Sequence, residues 1–239
     1  MPILFNAERR VFKLDAKGFT YAMMVYRENY LVHLYAGAPI PDTDLSYLMY
    51  RGWFDSLSPL NPQVEDPNFS VDIQPLEYPA GGAGDFRISA LSVRGKAGDA
   101  VTDIRYVSHK IYQGKPALPG LPATFDREGA AQTLEVETLD AVTGVKATLL
   151  YTVFEDYPVI ARSARVENTG DSPVNLERVY SACLDLPTMG WDMVHLYGRW
   201  AKENTTVRHP LQHGIQAIHS KRGMTGPNHN PFVALCQHT

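Results

Sequence analysis

The forty residues from Ala147 to Leu186 constrain the fold of this chain most tightly. They divide into three long strand-like runs: Ala147 to Phe154, Val159 to Asn168 and Val174 to Leu186. Glu155-Asp156-Tyr157-Pro158 closes the first and Thr169-Gly170-Asp171-Ser172-Pro173 the second. In the third, Val174, Leu176, Tyr180, Ala182, Leu184 and Leu186 share one face, while Asn175, Glu177, Ser181 and Asp185 share the other. Arg178 and Val179 break the pattern. A period of two is the mark of a half-buried antiparallel strand, and Asn, Gly and Asp supply the backbone freedom the turns require. The expectation is a three-stranded meander with one face to bury. Few segments have helical periodicity, so the covering layer should be a second sheet.

Further strand signals lie on both sides of this core. They are Val11–Leu14, Thr20–Tyr26, Tyr30–Tyr35, Ala90–Val93, Asp103–Tyr112, Thr133–Leu139, Gly214–Ser220 and Pro231–Gln237. Between Pro39 and Pro79 regularity stops, and seven prolines fall in that interval. A loop this long in a compact domain is usually functional or disordered. Tyr47, Tyr50, Trp53 and Phe54 argue that it is ordered and packed on something. The stretch from Leu186 to Gly214 also reads as irregular. The 239 residues suit one large all-β domain or two smaller ones. The last strand signal ends near Thr239 and leaves an edge to cover, so the chain is expected to be a piece of a longer polypeptide.

Composition excludes several classes of function. The formal net charge is −4, from 22 basic and 26 acidic residues, which points to neither nucleic acid nor an anionic membrane as partner. No apolar run approaches the roughly 18 residues of a membrane span. MPILFNAERR lacks the pattern of a secretory signal. The two cysteines, Cys183 and Cys236, are expected to be buried free thiols inside strands. A cytoplasmic protein follows as the expectation.

No cofactor is expected. The glycines of Tyr78–Arg87 lack the Lys-Ser/Thr ending of a phosphate loop, no G-x-S-x-G elbow is present, and His209, His213, His219, His229 and His238 match no zinc spacing. The carboxylates are more informative. Asp42, Asp44, Asp55 and Asp85 sit in loops beside aromatics or glycines, and sugar sites combine acids that accept from hydroxyls with aromatic faces that pack on C–H groups. Asp55, beside Trp53 and Phe54, is either such an acceptor or a solvated loop acid. Asp85 reads as a local structural partner of Arg87. Trp191-Asp192 and Gly198-Arg199-Trp200 read as buried packing.

A run of short pieces carries a resemblance. They include Tyr30-Leu31-Val32-His33-Leu34-Tyr35, Glu77-Tyr78-Pro79, Gly84-Asp85-Phe86-Arg87, Gly120-Leu121-Pro122-Ala123-Thr124, Arg162-Ser163-Ala164-Arg165, Gly198-Arg199-Trp200-Ala201 and Asn230-Pro231-Phe232-Val233-Ala234-Leu235. In this order they resemble the N-terminal domain of bacterial α-galactosidases of glycoside hydrolase family 36. Ser220–Pro227 departs from the family pattern, in a turn. The resemblance implies an all-β, two-sheet β-supersandwich of the galactose-mutarotase-like kind over residues 1–239, ahead of a (β/α)8 barrel. It implies a retaining double displacement whose two catalytic aspartates belong to the barrel. A barrel needs about 250 residues of alternating strand and helix, and this chain has no such alternation. No catalytic residue is therefore expected here, and the chain alone should not turn over substrate.

The same resemblance implies that Asp55 belongs to the galactose subsite. Trp53 would line its entrance or pack within the loop. The implied partners are galactose-containing oligosaccharides such as melibiose and raffinose, the chain's own downstream barrel, and further copies in a tetramer. The rival reading is a stand-alone carbohydrate-binding or oligomerisation domain.

Overall fold

The computed structural model describes residues 2–50, 69–186, 190–224 and 226–238. It divides into two compact units, Met1–Asp185 and Leu186–Thr239.

The first unit is built on two antiparallel four-stranded sheets packed face to face. One is a simple meander of β1 (Ile3–Asn6), β2 (Val11–Ala16), β3 (Phe19–Val25) and β4 (Leu31–Gly37). The β3–β4 connection turns sharply because Glu28 and Asn29 both take positive φ, which Asn tolerates well. After β4 the chain runs through long loops before β5 (Leu91–Gly95). The second sheet is another meander, of β6 (Arg105–Gln113), β7 (Gln132–Leu139), β8 (Val145–Phe154) and β9 (Val159–Asn168). β10 (Val174–Val179) follows.

One core joins the sheets. Phe12, Leu14, Tyr21 and Met23 of the first sheet share a buried cluster with Leu134, Val136, Leu149, Tyr151 and Val153 of the second. Alternation along each strand selects these side chains. Phe5 stacks on Phe12 with ring centroids 4.5 Å apart, and His109 of β6 meets both rings. The all-β, two-sheet supersandwich expected from the sequence is what the structure contains. The helical content of the described residues is limited to single 3-10 turns, at Arg27–Asn29, Ser46–Leu48 and Val71–Ile73.

The expected three-stranded meander ends one strand early. β8 and β9 pair along their whole length, from Val145↔Asn168 to Phe154↔Val159. β10 does not join them; it crosses to pair with β5, Val174 opposite Gly95 and Val179 opposite Leu91. A bulge lies between Leu176 and Arg178. From Tyr180 to Leu186 the chain has no strand, and Leu176, Tyr180 and Leu184 are exposed where the alternation placed a buried face. β5 pairs with no other strand of the described residues, although its Leu91 also bridges Ala80 in the preceding loop.

The tight backbone expected in the glycine-rich stretch is present. Gly82 takes φ +95°, and a Cβ there would lie 2.8 Å from the Val101 Cα. Only glycine admits both the conformation and the approach.

The second unit is a three-stranded sheet with β11 (Trp191–Arg199) between β12 (Lys202–Pro210) and β13 (His229–Gln237). The segment expected to be irregular therefore contains a full hairpin, with Arg199 opposite Lys202. Gly214–Ser220 is not a strand; the partner of β13 is β11. Trp200 is 92% exposed, against the expectation of buried packing. Asp192 is buried and held by Arg208 and His238. Both cysteines are free and half-buried rather than buried, and Cys183 lies outside any strand.

Candidate functional site

Trp53 and Asp55, the substrate-binding residues expected from the sequence, lie outside the described residues. The chain on either side of their segment is well anchored. Leu45 and Met49 are buried before it, Phe69 and Val71 after it, and Met49, Phe69 and Val71 share a cluster with Tyr30 and Val32. Ion pairs hold the approach. The Lys13 ammonium, itself buried, reaches Asp42 and Asp15, and Arg9 reaches Asp44 at 3.1 Å. Asp44 also accepts from the Ser46 backbone N–H at 2.9 Å. Asp42 and Asp44 thus pin the loop to the first sheet.

Asp85 is structural, as expected. Arg87 donates to it twice, Nε to Oδ1 at 2.9 Å and Nη2 to Oδ2 at 2.8 Å, and the Arg87 backbone N–H adds a third bond. The same guanidinium donates to the Gln74 carbonyl at 2.6 Å and pairs with Asp185 at 3.3 Å. Burial pushes the Asp185 carboxyl up despite the pull of Arg87.

A dense polar network in the first unit surrounds Glu77. Its carboxylate is buried between the sheets. The Tyr21 hydroxyl spans its two oxygens at 2.7 and 2.6 Å, and the Tyr151 hydroxyl donates to Oε1 at 2.8 Å. Arg162 Nη2 donates to the same oxygen. His33 Nδ1 stands 3.7 Å from Oε2, in ion-pair range but too far for a hydrogen bond. Arg162 Nη1 reaches on to the Cys183 carbonyl at 2.8 Å. Five elements meet here: β3, β4, the loop carrying Glu77, β8 and β9.

Electrostatics explain why a charge survives at this depth. Burial alone would push the Glu77 carboxyl up, but Arg162, with help from His33 and Tyr21, holds it below its ordinary value. Burial and the neighbouring carboxylate push Tyr21 and Tyr151 well up, so both remain hydroxyl donors. The Glu77 carboxylate is closed off from solvent. The arrangement is a lock that satisfies a buried ion pair with hydroxyls and fixes two sheets and a loop against one another.

Sequence reasoning did not single out Glu77 or Arg162 as chemistry, although both lie in motifs carrying the resemblance. The signal was present in β9. Ile160, Ala164 and Val166 pack on the core, and Arg162 falls on the same face. An arginine in an apolar register requires a buried anion.

In the second unit, His195, His209 and His229 come together. The His195 ring lies 5.7 Å from that of His209 and 6.3 Å from that of His229. Among the described residues, no trio of His, Cys, Asp or Glu side chains is placed to hold a metal ion.

Comparison with known proteins accounts for this architecture. Residues 29–239 match the glycosyl hydrolase family 36 N-terminal domain. The chain belongs to that family. It is 42% identical over 236 residues to alpha-galactosidase AgaA of Geobacillus stearothermophilus, covering 98% of this chain and 32% of that protein. It is 37% identical to the bifunctional alpha-galactosidase/sucrose kinase AgaSK of Mediterraneibacter gnavus, covering 99% of this chain and 25% of that protein. Among solved structures, the family 36 α-galactosidase AgaB of Geobacillus stearothermophilus superposes with a TM-score of 0.89 at 42% identity, over 98% of this chain and 32% of that one. AgaA carrying A355E and D548N, solved with raffinose, superposes at 0.88 with 42% identity over 94% of this chain and 31% of that one. The chain thus spans about a third of the length of AgaA and AgaB, and the region matched is the family's N-terminal domain.

Proposed function

We propose that this family 36 domain is the N-terminal part of an α-galactosidase that removes terminal α-linked galactose from oligosaccharides such as melibiose and raffinose. The chemistry is a retaining double displacement by two aspartates of a (β/α)8 barrel that follows residues 1–239. The domain's own work is assembly and completion of the galactose subsite. Asp55 accepts hydrogen bonds from sugar hydroxyls there, and Trp53 lines the entrance. The enzyme is cytoplasmic and tetrameric in this reading.

The observation that carries the proposal is 42% identity to an α-galactosidase along nearly the whole chain. AgaA variants were solved with raffinose and with stachyose, which supports oligosaccharides as the substrate class. Two free thiols fit a reducing compartment.

The test is hydrolysis of a chromogenic α-galactoside by the 239-residue chain and by the polypeptide of its complete reading frame, side by side. Activity in the longer protein alone is expected. Activity in neither would favour the stand-alone binding or oligomerisation domain. Activity in the 239 residues would move the chemistry to their own carboxylates.

A further inference from the structure

At one end of the first unit, the turn after β8 faces the loop that leads into β7 across a cleft of about 200 Å3. The buried Ala131 and the half-buried Phe154 are among its lining. Phe125 and Tyr157 line it with rings that are 79% and 64% exposed. Both walls are held by hydrogen bonds that involve the backbone. Asp126 accepts from the Ala130 and Ala131 N–H groups at 3.1 Å each. The Tyr157 N–H donates to the Phe154 carbonyl at 3.1 Å, and the Tyr157 carbonyl accepts from Lys17 at 3.3 Å.

The polar groups of the cleft are otherwise uncommitted. Arg127, Glu128, Glu155 and Asp156 have no side-chain hydrogen bond or ion pair within the described residues. No three carboxylates there are placed to share a cation. Two exposed aromatic faces beside free carboxylates and a free guanidinium make a surface that matches a polyhydroxylated ring. C–H groups pack on the aromatics, and hydroxyls donate to the carboxylates and accept from the arginine. The volume is below the roughly 300–1,000 Å3 of pockets for drug-sized ligands, so it admits one or two sugar rings rather than a long chain.

We propose that the cleft between Phe125 and Tyr157 binds neutral oligosaccharides. This goes beyond the proposed hydrolysis and does not depend on it. The test is calorimetric titration of the protein with raffinose, combined with hydrogen-exchange mass spectrometry to locate the contact. Saturable binding is expected, with slowed exchange in peptides covering residues 125–131 and 154–157. Phe125→Ala and Tyr157→Ala should each weaken it about two- to tenfold, the range of one aromatic contact, with unchanged melting temperature. Glu155→Gln should weaken it without altering the fold. Absence of protection in these peptides overturns the proposal, as does protection unchanged in both aromatic variants or evoked equally by a lysine-rich peptide. A protein that fails to cleave galactosides yet shows the raffinose protection keeps the cleft and loses the α-galactosidase reading.

Discussion

Tyr151 on β8 and Arg162 on β9 are direct cross-strand partners, and both side chains converge on the carboxylate of Glu77. The pair is therefore ordered twice, by the ladder between the strands and by a shared buried anion. Removing Arg162 leaves that anion without its counter-charge. Arg162→Ala should cost about 3–5 kcal/mol of unfolding free energy, the usual result of breaking a buried ion pair. Combining it with Glu77→Gln should recover part of the loss, and a double-mutant cycle by urea denaturation measures the coupling.

Glu77 also predicts an acid limit. Its folded value lies below the ordinary 4.5, so the fold favours the charged form. The stability it lends is fully present above about pH 4.5 and drains away as the pH falls through the lower folded value. Thermal melts between pH 6 and pH 3 should show a steep loss on the acid side, and Glu77→Gln should flatten it.

Cys183 offers a chemical probe of the same region. Burial pushes its thiol up to about 11. Only the thiolate reacts with alkylating reagents. Iodoacetamide labelling of Cys183 in the native protein at pH 8 should be slow, and should rise about tenfold per pH unit as long as the fold persists. Labelling at the rate of the urea-unfolded chain would contradict this environment.

Gly82 is the position where the smallest change should have a large effect. Alanine there meets an unfavourable φ of +95° and a Val101 backbone atom 2.8 Å away. A loss of about 1–3 kcal/mol is expected from the conformation alone. Alanine at Gly98, also at positive φ but with open space around its Cβ position, is the control for crowding.

Asp55→Ala in the full-length protein tests the proposed galactose subsite. Losing a carboxylate that accepts from sugar hydroxyls should cost about 1.5–3 kcal/mol in kcat/KM per charged hydrogen bond, with the melting temperature unchanged. Wild-type kinetics in a stable variant would remove Asp55 from the site.

Much of the first unit was legible because its strands alternate cleanly and its hairpins close on recognisable turns. Val159–Asn168 was placed to the residue. Two kinds of information were not local. The partner of β10 depends on where β5 arrives after a long loop, and a six-residue alternating strand carries no address. The β11–β12 hairpin was hidden by its turn: Ala201 takes φ +57°, a conformation that a reader of sequences expects of Gly or Asn, and β12 is mostly polar. The Glu77 lock was half legible. The apolar register around Arg162 was a signal that went unused, and its partner comes from an irregular loop with no periodicity to reveal which way the side chain points.

The crossing of β10 to β5 has a consequence for how the first unit reaches its native state. The β6–β9 meander grows through contacts between neighbours in sequence, whereas the Arg94–Glu177 pair of the β5–β10 ribbon joins residues 83 positions apart. The entropy of closing so long a loop must be met before any contact in that ribbon is gained. The ribbon should therefore zip last, after the two meanders have collapsed on each other. Until then Val174 and Val93, both destined for the core, stay in water, and an unpaired strand remains available to another chain. Aggregation during refolding should accordingly track substitutions in β5 and β10 more closely than those in the central hairpins.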